Sequence, residues 1–402
     1  MATTIPTRSS SYQADVALAL PKSGVRWPVR AVLVAATCVL VGIVWDISWH
    51  MSIGRDTLWS PPHLVTYAAG LIVGITCGWL ALHTTFRGTA EERDHSVAFW
   101  GFRAPLGAWI CVWGAFAMLA SAPFDDWWHQ AYGLDVKIIS PPHVVLALGM
   151  YAVVVGAMVM TAAARSDAPD ARTRRRLEWG LVYALGVMLS MVAVFTTEYS
   201  QRGAQHASLF YRVSAIAYPV LLCGAARASG LRWSATRVAA VYMTVRVLQG
   251  WILPLVPAEP KLGPIFYPMT HLAALEFPLL LVVPALGVDW LVQRLGQGEG
   301  GPRRDLLLAP LVGVAFVLLL LSAQWPFASF LHAPAARNWF FFTDQNFVFW
   351  GRATSLYRQY RFFPGDPTTA AFVAGIARAL LFASLSAYVG LSWGRWLHRV
   401  RR

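Results

Sequence analysis

The sequence predicts an all-α, polytopic membrane protein, and three observations carry that prediction. Of the 402 residues 57% are hydrophobic and only 13% charged, about half the charge of a typical soluble domain. Apolar runs of about 20 residues, the length that crosses a ~30 Å hydrocarbon core, recur along the whole chain. Nineteen Trp, many near the ends of those runs, fit the aromatic belts of the two membrane interfaces.

About ten transmembrane helices follow in order, near 30–49, 61–83, 104–124, 141–164, 177–197, 209–228, 235–256, 265–292, 305–324 and 370–393. Residues 1–26 form a polar N-terminal segment without the short apolar core of a cleavable signal peptide, so the first span reads as a retained anchor. Residues 27–165 make a four-helix region, and 166–402 a six-helix region with an aromatic-rich outer loop at 326–368.

The net charge of +13 raises the question of nucleic acid, and its distribution answers it. With both termini cytoplasmic, the inner segments hold 22 Lys and Arg and the outer segments nine, while Arg246 and Arg378 lie inside spans. That is the positive-inside bias. The charge is topogenic; the expected partner is the lipid bilayer, with no nucleic acid. All four cysteines (Cys38, Cys77, Cys111, Cys223) fall within spans and none forms a C-x-x-C pair, so neither a disulfide framework nor a thiolate metal site is indicated.

Self-similarity then singles out one stretch. Residues 45–63, WDISWHMSIGRDTLWSPPH, return as residues 124–143, FDDWWHQAYGLDVKIISPPH. Asp46, Trp49, His50, Gly54 and Asp56 map onto Asp125, Trp128, His129, Gly133 and Asp135 at an offset of 79, and Ser60-Pro61-Pro62-His63 onto Ser140-Pro141-Pro142-His143 at an offset of 80. Spans 1–2 and 3–4 are therefore two copies of one helical hairpin, with both turns on the outer side.

The chemistry follows from the spacing. Asp46 and His50 are four residues apart, as are Asp125 and His129, which puts each pair on one helix face. Ser-Pro-Pro is a helix start, serine suiting the N-cap and proline the first turn. His63 and His143 thus enter in the first turn of the returning helix, level with the pair at the end of the preceding one. Two imidazoles and a carboxylate suit copper, zinc or iron, whereas calcium and magnesium want oxygen ligands. A single Asp-x-x-x-His is equally an interfacial hydrogen-bonded pair, but ionisable groups at membrane depth are expensive and default to function. Asp46, His50, His63, Asp125, His129 and His143 are the expected metal ligands. Arg55, Asp56 and Asp135 are placed to orient the imidazoles through their other nitrogen.

The stretch DISWHMSIGRDTLWSPPH resembles the metal-binding segment of the C subunit of the particulate methane monooxygenase and ammonia monooxygenase family. That segment likewise has Asp, then Trp-His, then Arg-Asp-Thr, then a Ser/Thr-Pro-x-His helix start, at the spacing of Asp46, His50 and His63. The family's second site has Asn, His four residues on, and His fourteen further. Asp125, His129 and His143 keep that spacing, with Asp125 where the family has Asn. The resemblance covers about residues 30–165; the spans from 177 onward resemble no part of that subunit. It implies copper at one or both sites and partner membrane subunits. It also implies the inner membrane of a bacterium, with the sites near the periplasmic side, and O2-dependent oxidation of a small apolar substrate. The alternative role is non-catalytic, a membrane protein that acquires or delivers copper; a third is a metal transporter whose hairpin histidines form an access site.

In the second half, Tyr267-Pro268-Met269-Thr270-His271 faintly echoes SPPH, though His271 reads better as an interfacial histidine. Glu276 is a partner for Arg246, and the 326–368 loop is expected to lie along the interface as an amphipathic helix, with covering the metal sites or binding a partner as the alternatives. Walker, Rossmann, serine-hydrolase and HExxH patterns are all missing.

Overall fold

Proline sets where many of these helices begin. In the computed structural model, which describes residues 25–133, 140–296 and 301–401, α1 (Trp27–Ser52) starts at Trp27-Pro28 and α2 (Pro61–Phe86) at Pro61-Pro62. A short helix α3 (Ala90–Asp94) and a two-stranded antiparallel hairpin, β1 (Val97–Phe99) with β2 (Phe102–Ala104), then lead to α4 (Leu106–Tyr132). α5 (Pro141–Ser166) repeats the Pro-Pro start. α6 (Ala171–Phe195) and the one-turn α7 (Thr197–Ser200) follow, and then α8 (Ser208–Ala217) and α9 (Pro219–Ala228), one span broken at Pro219. The remaining helices are α10 (Ser234–Ile252), α11 (Val282–Leu295), α12 (Gly301–His332) and α13 (Thr369–Arg399).

Among the described residues, nine helices are long and apolar enough to cross a membrane. The predicted polar segment up to residue 24, and Asp135, lie outside the described residues. The fold is all-α and polytopic, as expected. The first two hairpins pack α1 on α2 and α4 on α5. Between α4 and α5 the backbones nearly touch: a Cβ on Gly149 would lie 2.9 Å from the Gly114 carbonyl oxygen, the close approach that small residues permit in membranes.

The eighth predicted span, 265–292, differs. Residues 265–281 are non-helical, and only the 14 residues of α11 are helical, too few to span alone. Pro264, Pro268 and Pro278 are the cause, since each lacks an N–H and pushes the preceding residue out of the helical region. Such backbone survives at membrane depth only when buried in protein, and here side chains satisfy it. Ser52 Oγ accepts from Ala273 N (2.7 Å), Tyr242 OH from Leu279 N (2.9 Å), and Gln324 Oε1 from Leu280 N (2.9 Å), while Ser48 Oγ donates to the Ala273 carbonyl (2.6 Å). The segment still runs from one end of the bundle to the other. Its start lies by the first hairpin's turn, where Lys261 N donates to the Ile53 carbonyl (2.9 Å), and its end by Arg227, which donates to the Gly296 carbonyl (2.7 Å).

The aromatic-rich loop is not an amphipathic helix. After α12 it becomes a run of turns that buries Phe342, Phe347 and Phe349. Aromatics pack sideways at many angles here, and the fully buried Arg202 stacks on Tyr357 (4.2 Å) and Tyr360 (5.0 Å). Glu276 hydrogen-bonds this loop and acts on Arg246 only through its charge: it accepts from Tyr357 OH (2.9 Å) and Asn346 Nδ2 (3.4 Å). His271 sits in extended chain bridged to Pro257, so the YPMTH stretch starts no helix.

Candidate metal centre

The first hairpin builds its site from two helix ends and the turn between them. α1 runs unbroken through Asp46 and His50, one turn apart on one face. Gly54 ends it at φ 84°, a conformation glycine adopts at no steric cost. A Cβ there would also lie 2.7 Å from the Phe349 ring. The Trp49 indole donates to the Arg55 carbonyl (3.0 Å), so Arg55 braces the turn through its backbone while its side chain is exposed. Ser60 stands at the N-cap of α2, but its hydroxyl caps nothing. It accepts from Thr57 N–H (2.8 Å) and closes the turn. Pro61 and Pro62 then set the first helical turn and deliver His63.

The side chains converge. His63 Nε2 lies 3.1 Å from Asp46 Oδ1 and 3.3 Å from Asp56 Oδ2. His50 Nε2 lies 3.8 Å and 3.4 Å from the same two oxygens. Asp46, His50 and Asp56 each offer an atom within 4.8 Å of the others, a grouping that could hold a metal ion. Asp56 therefore does not sit behind the imidazoles, where the sequence reading put it; it faces the same Nε2 atoms as Asp46.

The other ring nitrogen is pinned by the chain itself. His63 Nδ1 is 2.8 Å from the Thr57 carbonyl, and His50 takes a backbone partner at Gly54. A carbonyl only accepts, so Nδ1 carries a proton, and Nε2 faces the carboxylates as an N–H donor when the ring is charged and as a lone pair when it is neutral. Asp46 Oδ1 is buried and makes no hydrogen bond of good geometry, although His63 Nε2 is only 3.1 Å away. Lone pairs facing lone pairs at these distances repel unless protons or a cation lie among them. At Asp56, burial would raise the carboxyl pKa, but the His50 hydrogen bond and the charges of His50 and His63 outweigh it and hold the group below its ordinary range.

The second hairpin has the same plan. His129 Nε2 is 3.4 Å from Asp125 Oδ2 and His143 Nε2 3.6 Å from Asp125 Oδ1, with the rings 6.4 Å apart. Gly133 ends α4 at φ 85°, and its carbonyl lies 3.1 Å from His129 Nδ1. Here a side chain does one backbone job: Ser140 Oγ meets His143 Nδ1 at 2.8 Å. All six expected ligands are thus gathered, in two groups of three. What sequence reasoning missed are the carbonyls of Gly54, Thr57 and Gly133, which carry no residue signature. The matched Gly54 and Gly133 were the visible trace of that turn.

The chain matches no family model, no curated protein and no solved structure.

Proposed function

We propose that this chain is a copper-binding integral membrane protein, each duplicated hairpin presenting one Asp and two His to a single ion. One observation carries the reading. Both imidazoles of the first hairpin turn Nε2 toward the Asp46 and Asp56 carboxylates while backbone carbonyls hold their other nitrogen. A cation held between the carboxylates and an imidazole removes the repulsion, as protons on the rings also do. Imidazole with carboxylate selects copper, zinc or iron, and the resemblance to the monooxygenase C subunit favours copper.

Bound copper would supply redox chemistry toward oxygen, in an oxidation of a small apolar substrate reaching the site through the bilayer. The chain's own residues set the ligand field. Asp46 and Asp56 bring negative charge, the histidines bring neutral nitrogen, and Thr57 and Gly54 fix the ring tautomers. A second reading, copper acquisition or delivery without turnover, is favoured by the 45% exposure of the His50 side chain, which leaves a ligand open to exchange.

Metal analysis of protein purified in lipid after copper supplementation tests the proposal. Wild type is expected to carry stoichiometric copper, and His63→Ala and His143→Ala each to lose part of it. Wild type without stoichiometric transition metal would sink the reading. Full copper in both variants would refute the ligand assignment.

A further inference from the structure

At the end of the molecule opposite the two hairpin turns, arginines converge with His398 on a cavity of about 480 Å³, within the range of small-ligand sites. Arg227 comes from the end of α9, Arg304 and Asp305 from the first turns of α12, and Arg395 and Arg399 from the last turns of α13. Four arginines face one aspartate.

Part of that charge is committed. Asp305, 1% exposed, pairs with Arg227 at 2.9 Å and with Arg395. Arg227 also donates to the Gly296 carbonyl just past α11, as basic side chains do at helix C-termini, and Arg395 to the Gly301 carbonyl at the start of α12 (2.9 Å). Helix tying does not use up the set. Arg304 donates to the Leu295 carbonyl through Nε alone (2.7 Å), which leaves its outer fork, and Arg399 is exposed beside it. Arg227 Nε is buried without a hydrogen-bond partner among the described residues.

We propose that this cavity binds a phosphate group, and specifically the headgroup of an anionic phospholipid. Guanidinium forks match phosphate oxygens in pairs, and basic pockets between span ends on the positively charged side are where such headgroups sit. The flanking surface fits a lipid better than a free ion. Leu306 and Leu307, next to Arg304 and Asp305, are 61% and 75% exposed, and Trp396, next to Arg395, is 45% exposed. Acyl chains therefore have an apolar path down α12 and α13 from the charged mouth. The inference does not rest on copper or on the hairpins.

The test uses the full chain, delipidated in neutral detergent and followed by native mass spectrometry. It is titrated with phosphatidylglycerol, phosphatidylcholine and inorganic phosphate. Phosphatidylglycerol is expected to be retained one-to-one and phosphatidylcholine not. Arg304→Gln with Arg399→Gln, neither of which pairs with Asp305, is expected to weaken binding at least about tenfold. Arg304→Lys with Arg399→Lys keeps the charge without the fork and should restore only part of it. A control pair on the same side, Arg172→Gln with Arg174→Gln, should bind as wild type. Equal binding of the two lipids, or unchanged binding by the Gln pair, would overturn the site. Displacement of phosphatidylglycerol by equimolar inorganic phosphate would overturn the lipid assignment in favour of a free anion.

Discussion

At the scale of single residues, the informative contrast is between Asp46 and Asp56. Spacing alone marks Asp46, four residues before His50 on one helix face. Asp56 lies beyond the helix end, so no periodicity fixes its direction, and only the Gly54 turn folds it back to 3.3 Å from His63 Nε2. If both carboxylates hold the ion, Asp56→Asn is expected to weaken copper binding by about 10–100-fold, as measured by competition with a chelator. A change only at Asp46→Asn would show that Asp56 merely screens the histidines. A second residue-scale expectation concerns Asp366, which accepts from Ser208 N (2.7 Å) and Ser208 Oγ (2.7 Å) and so caps α8 from a distant loop. Burial raises its carboxyl pKa, and the Ser208 bonds outweigh that and lower it below 3.8. A depressed pKa gives stability that is full above the unfolded value and lost as pH falls through the folded one. The Tm gap between wild type and Asp366→Asn should therefore be open at pH 6 and close on acidification toward pH 3.

At the scale of elements, the two copies of the hairpin offer a matched pair. Gly54 and Gly133 share their positive φ, 84° and 85°, so alanine is strained at both by about 1–3 kcal/mol. At Gly54 the new Cβ would also strike the Phe349 ring at 2.7 Å, whereas at Gly133 nothing among the described residues lies within 4 Å. Gly54→Ala is accordingly expected to lower stability in detergent more than Gly133→Ala; equal losses would mean that Phe349 yields freely. The α4–α5 seam makes a parallel case. Gly149→Ala forces the helices apart against the Gly114 carbonyl and should cost about 1–3 kcal/mol, the usual range for overpacking. Helix starts were legible because Pro-Pro and Ser carry their own φ preferences. The 265–281 segment was not: its hydropathy matches a span, and only the partners of its backbone show how it stays extended.

At the scale of the whole molecule, the second half wraps back onto the first. Phe349 N donates to the Met51 carbonyl (3.2 Å), Lys261 N to Ile53, and Ala273 N to Ser52 Oγ, all around the turn that carries Asp56. Residues more than 200 positions away thus hold the first site's turn in place, while no described residue gives Gly133 such cover. Phe349→Ala is expected to destabilise the protein by about 3–5 kcal/mol and to loosen the first site before the second. The crossing of residues 265–295 has its own check. Cysteines at Lys261 and Arg303, in a background lacking the native four, should label with impermeant maleimide from opposite sides; labelling from one side would show that the segment re-enters instead.

The sequence by itself determined the solvent, the number of apolar runs, the duplicated hairpin and the six side chains gathered at its two turns. Those properties are local: hydropathy, a period of 3.6 and proline all act within a few residues. The tertiary structure alone decided that Asp56 faces the histidines, that residues 265–281 stay non-helical inside the protein, that Glu276 hydrogen-bonds Tyr357 and reaches Arg246 by charge alone, and that the arginines of three distant helices share one cavity. Each depends on partners brought together across the fold, and hydrogen bonds between distant segments leave no spacing in the chain to read.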